Sequence, residues 1–260
     1  MKRVCVLGNS HAACFKLAWD GLRDGHLDVQ LTFFADRGRG LGGLTLRDHV
    51  LTPRTKELRQ ALQNTSGGAS VVDLRLFDAV LLVGLYVFAW PDALYDSRWQ
   101  GFHSRALTHR WLTDCALRSA GYQLAGKVRA VSDLPIYVAH HPLLRCTDQA
   151  EVEMSLDAYR SNVAILNEAF RPTAARCLEQ PHETIVNARY TKDIYAAGAV
   201  RLQVSQAEWS EKHAPTERQH MNTAFGSLWL AECLSAMRGS GAEPGSTSPT
   251  PEPSQIAASV

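Results

Sequence analysis

The chain has 260 residues, 45% apolar and 20% charged, enough for one sizeable domain and too short for two comfortable ones. Lys and Arg number 27 against 26 Asp and Glu, a net charge of +1, so the electrostatic footprint of a nucleic-acid binder is absent and no such partner is expected. No apolar run approaches the roughly 20 residues of a membrane span, and the short one behind Lys2 and Arg3 is too brief for a secretory signal.

The six cysteines are scattered, several inside apolar runs, and no Cys-x-x-Cys occurs. That spacing holds no zinc or redox centre and reads as buried thiols of a cytoplasmic protein. Local basic pairs such as Arg37 and Arg39 read as solvated loop residues.

Residues 4–7 form an apolar run ended by Gly8, which predicts a buried strand, a tight turn and a helix start at Ser10. Phe15, Ala18, Trp19 and Leu22 recur at helical spacing and Gly25 stops that helix. Residues 28–35 predict a second strand running into the glycine-rich loop 38–43. Residues 44–76 are poorly patterned, with a short helix at 55–63. Residues 78–84 are apolar on both faces, as a central parallel strand should be.

The connection at 85–100 carries Tyr86, Phe88, Trp90 and Tyr95. A helix follows at 103–120, ending at Gly121, then a strand at 134–140 closed by Pro142. Asp157 is placed as the cap of a helix bearing Tyr159, Val163, Leu166 and Phe170, broken at Pro172. Residues 183–187 are the candidate fifth strand, and a last helix spans 222–238. From 239 to 260 the composition falls to Gly, Ser, Thr, Pro and Ala, which cannot bury a core and predicts a disordered tail. The alternation predicts one domain over residues 1–238, a three-layer α/β/α sandwich with a parallel sheet of about five strands.

Ligands of such sheets sit outside the carboxyl ends of the strands. Ser10, the 38–43 loop, Tyr86 and His140-His141 all follow predicted strands and so share one edge. Gly38-x-Gly40-x-x-Gly43 matches a dinucleotide fingerprint, but no convincing helix follows it and no acidic partner stands at the right distance. The first turn lacks the repeated glycines that pyrophosphate needs. No spacing typical of metal ligands appears among the ten histidines. Neither a cofactor nor a metal is therefore expected.

Ser10 alone can be a helix cap, a phosphate contact or a nucleophile. A nucleophilic serine needs a base, and Glu217-Arg-Gln-His220 supplies one just before the last helix. There Glu217 can hold one imidazole nitrogen while the other faces a serine. Glu217 as a solvated turn residue and His220 as a helix-start histidine are the plain readings.

Gly8-Asn9-Ser10 and Glu217-x-x-His220, with Met221-Asn222 and Gly226 following, resemble the two end blocks of the SGNH/GDSL hydrolase superfamily. The resemblance covers residues 3–238, although only its end blocks are specific. It implies an SGNH/flavodoxin-like fold and a triad of Ser10, His220 and Glu217. It also implies an oxyanion hole from the Ser10 and Gly40 N–H groups, with Tyr86 standing where the family has the asparagine of a Gly-x-Asn turn. Glu217 in place of aspartate is a second departure. Asn9, His11, Gly84, Leu85 and His140, at or beside these strand ends, are the expected lining of the substrate pocket.

The implied activity is a serine esterase removing an O-acyl group, such as acetyl, from a carbohydrate or small ester. Acyl transfer to a glycan with the same triad, a degenerate glycan- or partner-binding member, and a nucleotide binder using the 38–43 glycines are the alternatives. Histidine as base predicts that activity falls as pH drops through roughly 6.5.

Overall fold

The computed structural model describes residues 1–90, 104–147, 155–205 and 211–239. Of the tail expected over 239–260, Gly239 is the last residue of the final helix; the rest of it and Tyr95 lie outside the described residues.

Five strands form one parallel sheet: β1 (Lys2–Gly8), β2 (Val29–Ala35), β6 (Ala79–Phe88), β7 (Ile136–His141) and β8 (Ala175–Leu178), in the order β2-β1-β6-β7-β8. Between β2 and β6 the chain adds a small antiparallel sheet, β3 (Leu44–Arg47), β4 (Val50–Pro53) and β5 (Val72–Asp73). Ile185–Val186 (β9) and Tyr190–Thr191 (β10) pair separately.

The helices are α1 (Ala12–Leu22), α2 (Lys56–Ser66), α3 (Arg105–Arg118), α4 (Ala120–Arg129), α5 (Asp157–Phe170) and α6 (Thr223–Gly239). Alternation along each strand sorts side chains between two cores. Val4, Val6, Leu81 and Val83 pack under α1 and α6, whereas Cys5, Leu7, Val80 and Leu82 pack against Leu58, Leu62, Leu124, Tyr159 and Leu166 of α2, α4 and α5. The three-layer sandwich is thus formed from strands apolar on both faces.

Three local expectations differ. The fifth sheet strand is β8, not 183–187, which contributes only β9 to the outlying pair. The single helix expected at 103–120 is two: Ser119 closes α3 and caps α4 through its hydroxyl on the Tyr122 N–H. Gly121 therefore opens a helix, and a Cβ there would press on Val87. Asp157 is the first residue of α5 rather than its cap, which is Leu156.

The glycine-rich loop forms a single 3-10 turn, Gly40–Gly43, leading into β3. No helix N-terminus follows it, so the structural half of the dinucleotide fingerprint is missing. Among the described residues no helix is long and apolar enough to cross a membrane.

From β1 the chain moves outward one way to β2, and later the other way to β6. The ends of β1 and β6 therefore frame the switch point of the sheet, the place where ligands of such sheets bind.

Candidate active site

Ser10 sits at that switch point, two residues beyond the end of β1. The cap position of α1 is His11, and no side chain caps the helix. The Ser10 hydroxyl is thus not engaged by the helix that follows it. Its Oγ lies 2.8 Å from His220 Nε2, across 210 residues of sequence.

Two packing devices bring these residues together. In α6, a Cβ at Gly226 would overlap the carbonyl of Cys14 in α1, so the glycine lets the two helices meet backbone to backbone. Asn222 caps α6 by accepting the Phe225 N–H (3.2 Å), and its amide donates to the Ile194 and Ala197 carbonyls at 2.7 and 3.0 Å. His220 lies two residues ahead of that cap, as Ser10 lies two ahead of α1. Helix contact becomes side-chain contact.

The segment carrying Glu217 and His220 is also tied to the chain after β7. Arg145 N–H donates to the Arg218 carbonyl at 2.8 Å, and the Arg218 guanidinium returns two bonds of 3.1 Å to the Arg145 carbonyl. The Arg145 guanidinium reaches the Asp193 carboxylate and the Pro215 carbonyl.

Glu217 folds back over its own turn. Its carboxylate accepts the Gln219 and His220 N–H groups at 2.8 and 2.9 Å, and Oε1 approaches His220 Nδ1 to 3.2 Å without hydrogen-bond alignment. Burial works against the Glu217 charge, but those two N–H groups and the imidazole outweigh it and hold its pKa below the usual range. Burial lowers the His220 pKa, with the Glu217 charge opposing. The imidazole is therefore neutral at neutral pH, as a base for Ser10 must be.

At the end of β6, Gly84, Leu85 and Tyr86 have φ of 72°, 50° and 61°. A Cβ on Gly84 would collide with the Asn9 amide and the His11 ring, so glycine is needed there for space as well as conformation. The left-handed run shifts the register and sends Tyr86 back toward the loop after β2, where its hydroxyl lies 3.7 Å from the position a Cβ on Gly38 would take.

Gly40, the expected oxyanion donor, gives its N–H to the Arg37 carbonyl at 3.1 Å. The N–H groups of Ser10 and Gly38 have no acceptor among the described residues. Of the two glycines, Gly38 keeps an open N–H and Gly40 does not.

Of the expected pocket residues, Asn9, His11, Leu85 and His140 are buried. His140 is fully enclosed: its Nδ1 donates to the His141 carbonyl (2.7 Å), and its Nε2 meets the Tyr159 hydroxyl (2.8 Å), which accepts the Gln180 N–H. Both ring nitrogens are engaged, so His140 is a structural member of a buried polar network and not a pocket residue.

Its neighbour His141 is the one that meets His11, with Nε2 to Nε2 at 2.7 Å. The alternation that puts Tyr137 and Ala139 under α1 carries His141 to the same side. His213, which no motif marked, stacks on His220 with ring centres 3.8 Å apart. Arg39 lies over the Tyr86 ring at 5.0 Å, at the rim.

His213, Glu217 and His220 each offer a ligand atom within 4.8 Å of the others. The two rings are only 10° from parallel, however. Imidazole lone pairs lie in the ring plane, so an ion in the plane of one ring is out of plane for the other; as placed, the trio does not converge on one point. A separate cavity of about 570 Å³ lies between α1 and α2 against residues 200–203, away from Ser10 and His220.

No family model matches the chain, and no curated protein matches it.

Proposed function

We propose that the chain is a serine-dependent ester hydrolase of the SGNH type, acting on an O-acyl group of a carbohydrate or another small ester. The observation that carries this reading is the 2.8 Å contact of Ser10 Oγ with His220 Nε2 at the sheet switch point. A hydroxyl not used as a helix cap, beside a neutral imidazole, is what a nucleophile and its base require.

His220 takes the Ser10 proton as Oγ attacks the acyl carbonyl. The Ser10 and Gly38 N–H groups, with the Tyr86 hydroxyl, receive the developing oxyanion. His220 then protonates the leaving alkoxide; water attacks the acyl-serine with His220 again as base, and His220 returns that proton to Ser10 Oγ as the acyl–oxygen bond breaks and the carboxylic acid departs. Asn9, His11, Gly84 and Leu85 support the turn that carries the serine. The mechanism requires no cofactor or metal. Buried thiols at Cys5, Cys14, Cys177 and Cys233 suit a reducing, cytoplasmic setting.

The test is hydrolysis of a short-chain aryl acetate by the wild type, Ser10→Ala and His220→Ala. Loss of turnover in both variants supports the reading; equal rates in all three refute it.

A further inference from the structure

Glu217 is a poor guide for the imidazole it neighbours. Its carboxylate already accepts two backbone N–H groups, and its 3.2 Å approach to His220 Nδ1 is off line. A histidine held only by that contact would be free to turn about its Cβ–Cγ bond and swing Nε2 away from Ser10. The ring is nevertheless confined. On one side His213 stacks at 3.8 Å between centres and 10° between planes; on the other, His11 stacks at 4.8 Å and 20°.

We propose that His213 and His11 are positioning residues, holding His220 between two flat faces so that stacking, more than the Glu217 contact, aims Nε2 at Ser10. This rests on the reading of His220 as the base.

Each face is itself fixed. His141 Nδ1 lies 3.2 Å from the Pro142 carbonyl and must carry a proton to bond it, which leaves Nε2 as an acceptor. His11 Nε2, 2.7 Å away, is then the donor. The chain from Pro142 through His141 to His11 thus sets one tautomer at each ring and locks the inner face. The outer face is held by main chain: His213 N–H donates to the Ala199 carbonyl (2.9 Å), and Arg201 N–H to the Glu211 carbonyl (2.8 Å).

The charged and titratable groups around His220 are Glu217, Arg201, His11, His141 and His213, with Arg37 acting on His213. Burial keeps His141 and His213 down at about 4. The faces are therefore uncharged when His220 is neutral, and their π-clouds attract the imidazolium that forms when it takes the serine proton.

His213 is the residue to change, because it is half-exposed and lies outside the two cores. His213→Ala removes the outer face, and His213→Phe restores a flat one with no nitrogen. With an aryl acetate, the expected result is a fall in kcat of roughly ten- to 100-fold for the alanine variant, KM nearly unchanged, and recovery to within about threefold in the phenylalanine variant. Long-range ¹H–¹⁵N spectra should show one His220 tautomer, protonated at Nδ1, in wild type and His213→Phe, and a mixture in His213→Ala.

Wild-type kcat in His213→Ala, or a phenylalanine variant as slow as alanine, overturns the proposal. If Ser10→Ala matches wild type, the esterase reading fails instead. The spectra then decide the stacking alone, and an unchanged His220 tautomer in His213→Ala overturns it.

Discussion

Gly226 of α6 lies against the carbonyl of Cys14 in α1, at a separation that excludes any side chain. Both helices begin just after a residue of the proposed nucleophile–base pair, so this backbone contact sets the distance between Ser10 and His220. A helix crossing made by backbone contact thereby becomes part of the chemistry.

Gly226→Ala is expected to destabilise the fold by about 1–3 kcal/mol, because the added methyl has backbone rather than a flexible side chain in its way. It should also push α6 off α1 and open the Ser10–His220 contact, with a fall in kcat on the order of 10²-fold for a displacement near 1 Å. Urea denaturation and turnover measured on one preparation check both. Unchanged kcat in a destabilised variant would mean that the helix contact does not set the pair.

The pH dependence of turnover follows from the sign of the His220 shift. The base form is required, and burial holds its pKa below the ordinary value. Activity should therefore stay level down to and somewhat below pH ~6.5, then fall as His220 takes up a proton. Glu217 opposes the shift, so Glu217→Gln should carry the acid limb lower still. A kcat/KM profile of each protein checks this, and a limb above pH 7 or a flat profile would exclude His220 as the base.

Stability should depend on pH through different histidines. His140 and His141 are buried and held down at about 4, against about 6.5 in an unfolded chain. Between those values the unfolded state binds protons that the folded state refuses, so stability is full above pH 6.5 and is lost as pH falls toward 4. Two such groups amount to a loss on the order of 4 kcal/mol between pH 7 and pH 5. Denaturant midpoints at pH 7, 6 and 5 measure it, and equal midpoints would contradict the burial of these rings.

Apolar runs and helical spacing made most of the sandwich legible, together with the turn at Ser10 and the block at Glu217 and His220. β8 escaped because it is four residues long with an exposed arginine inside it, whereas 183–187 had the composition of a strand without a place in the sheet. Gly40 drew attention as part of a glycine spacing, but which N–H is left open depends on the turn the loop adopts, and that turn engages Gly40. His141 was reachable by counting alternate residues along β7 once one residue of the strand could be assigned a face. His213 was not: its place over His220 comes from the pairing of residues 211–213 with 199–201, a long-range match that no local pattern encodes.

Of the two departures from the resemblance, tyrosine where the family has asparagine is the one on which the backbone bears. Tyr86 holds a φ of 61° after Leu85 at 50°, and such conformations cost about 1–3 kcal/mol each for residues with a side chain. The run carries the tyrosine ring back over the loop after β2, with its hydroxyl beside Gly38, whose N–H is open. If that hydroxyl serves the oxyanion, Tyr86→Phe removes one donor and leaves the ring under Arg39. The expected result is a fall in kcat of about 10²-fold with little change in KM and no loss of stability. Steady-state kinetics with a thermal melt separate the two possible roles: full kcat in Tyr86→Phe would make the ring a wall of the site and leave the oxyanion to two backbone donors.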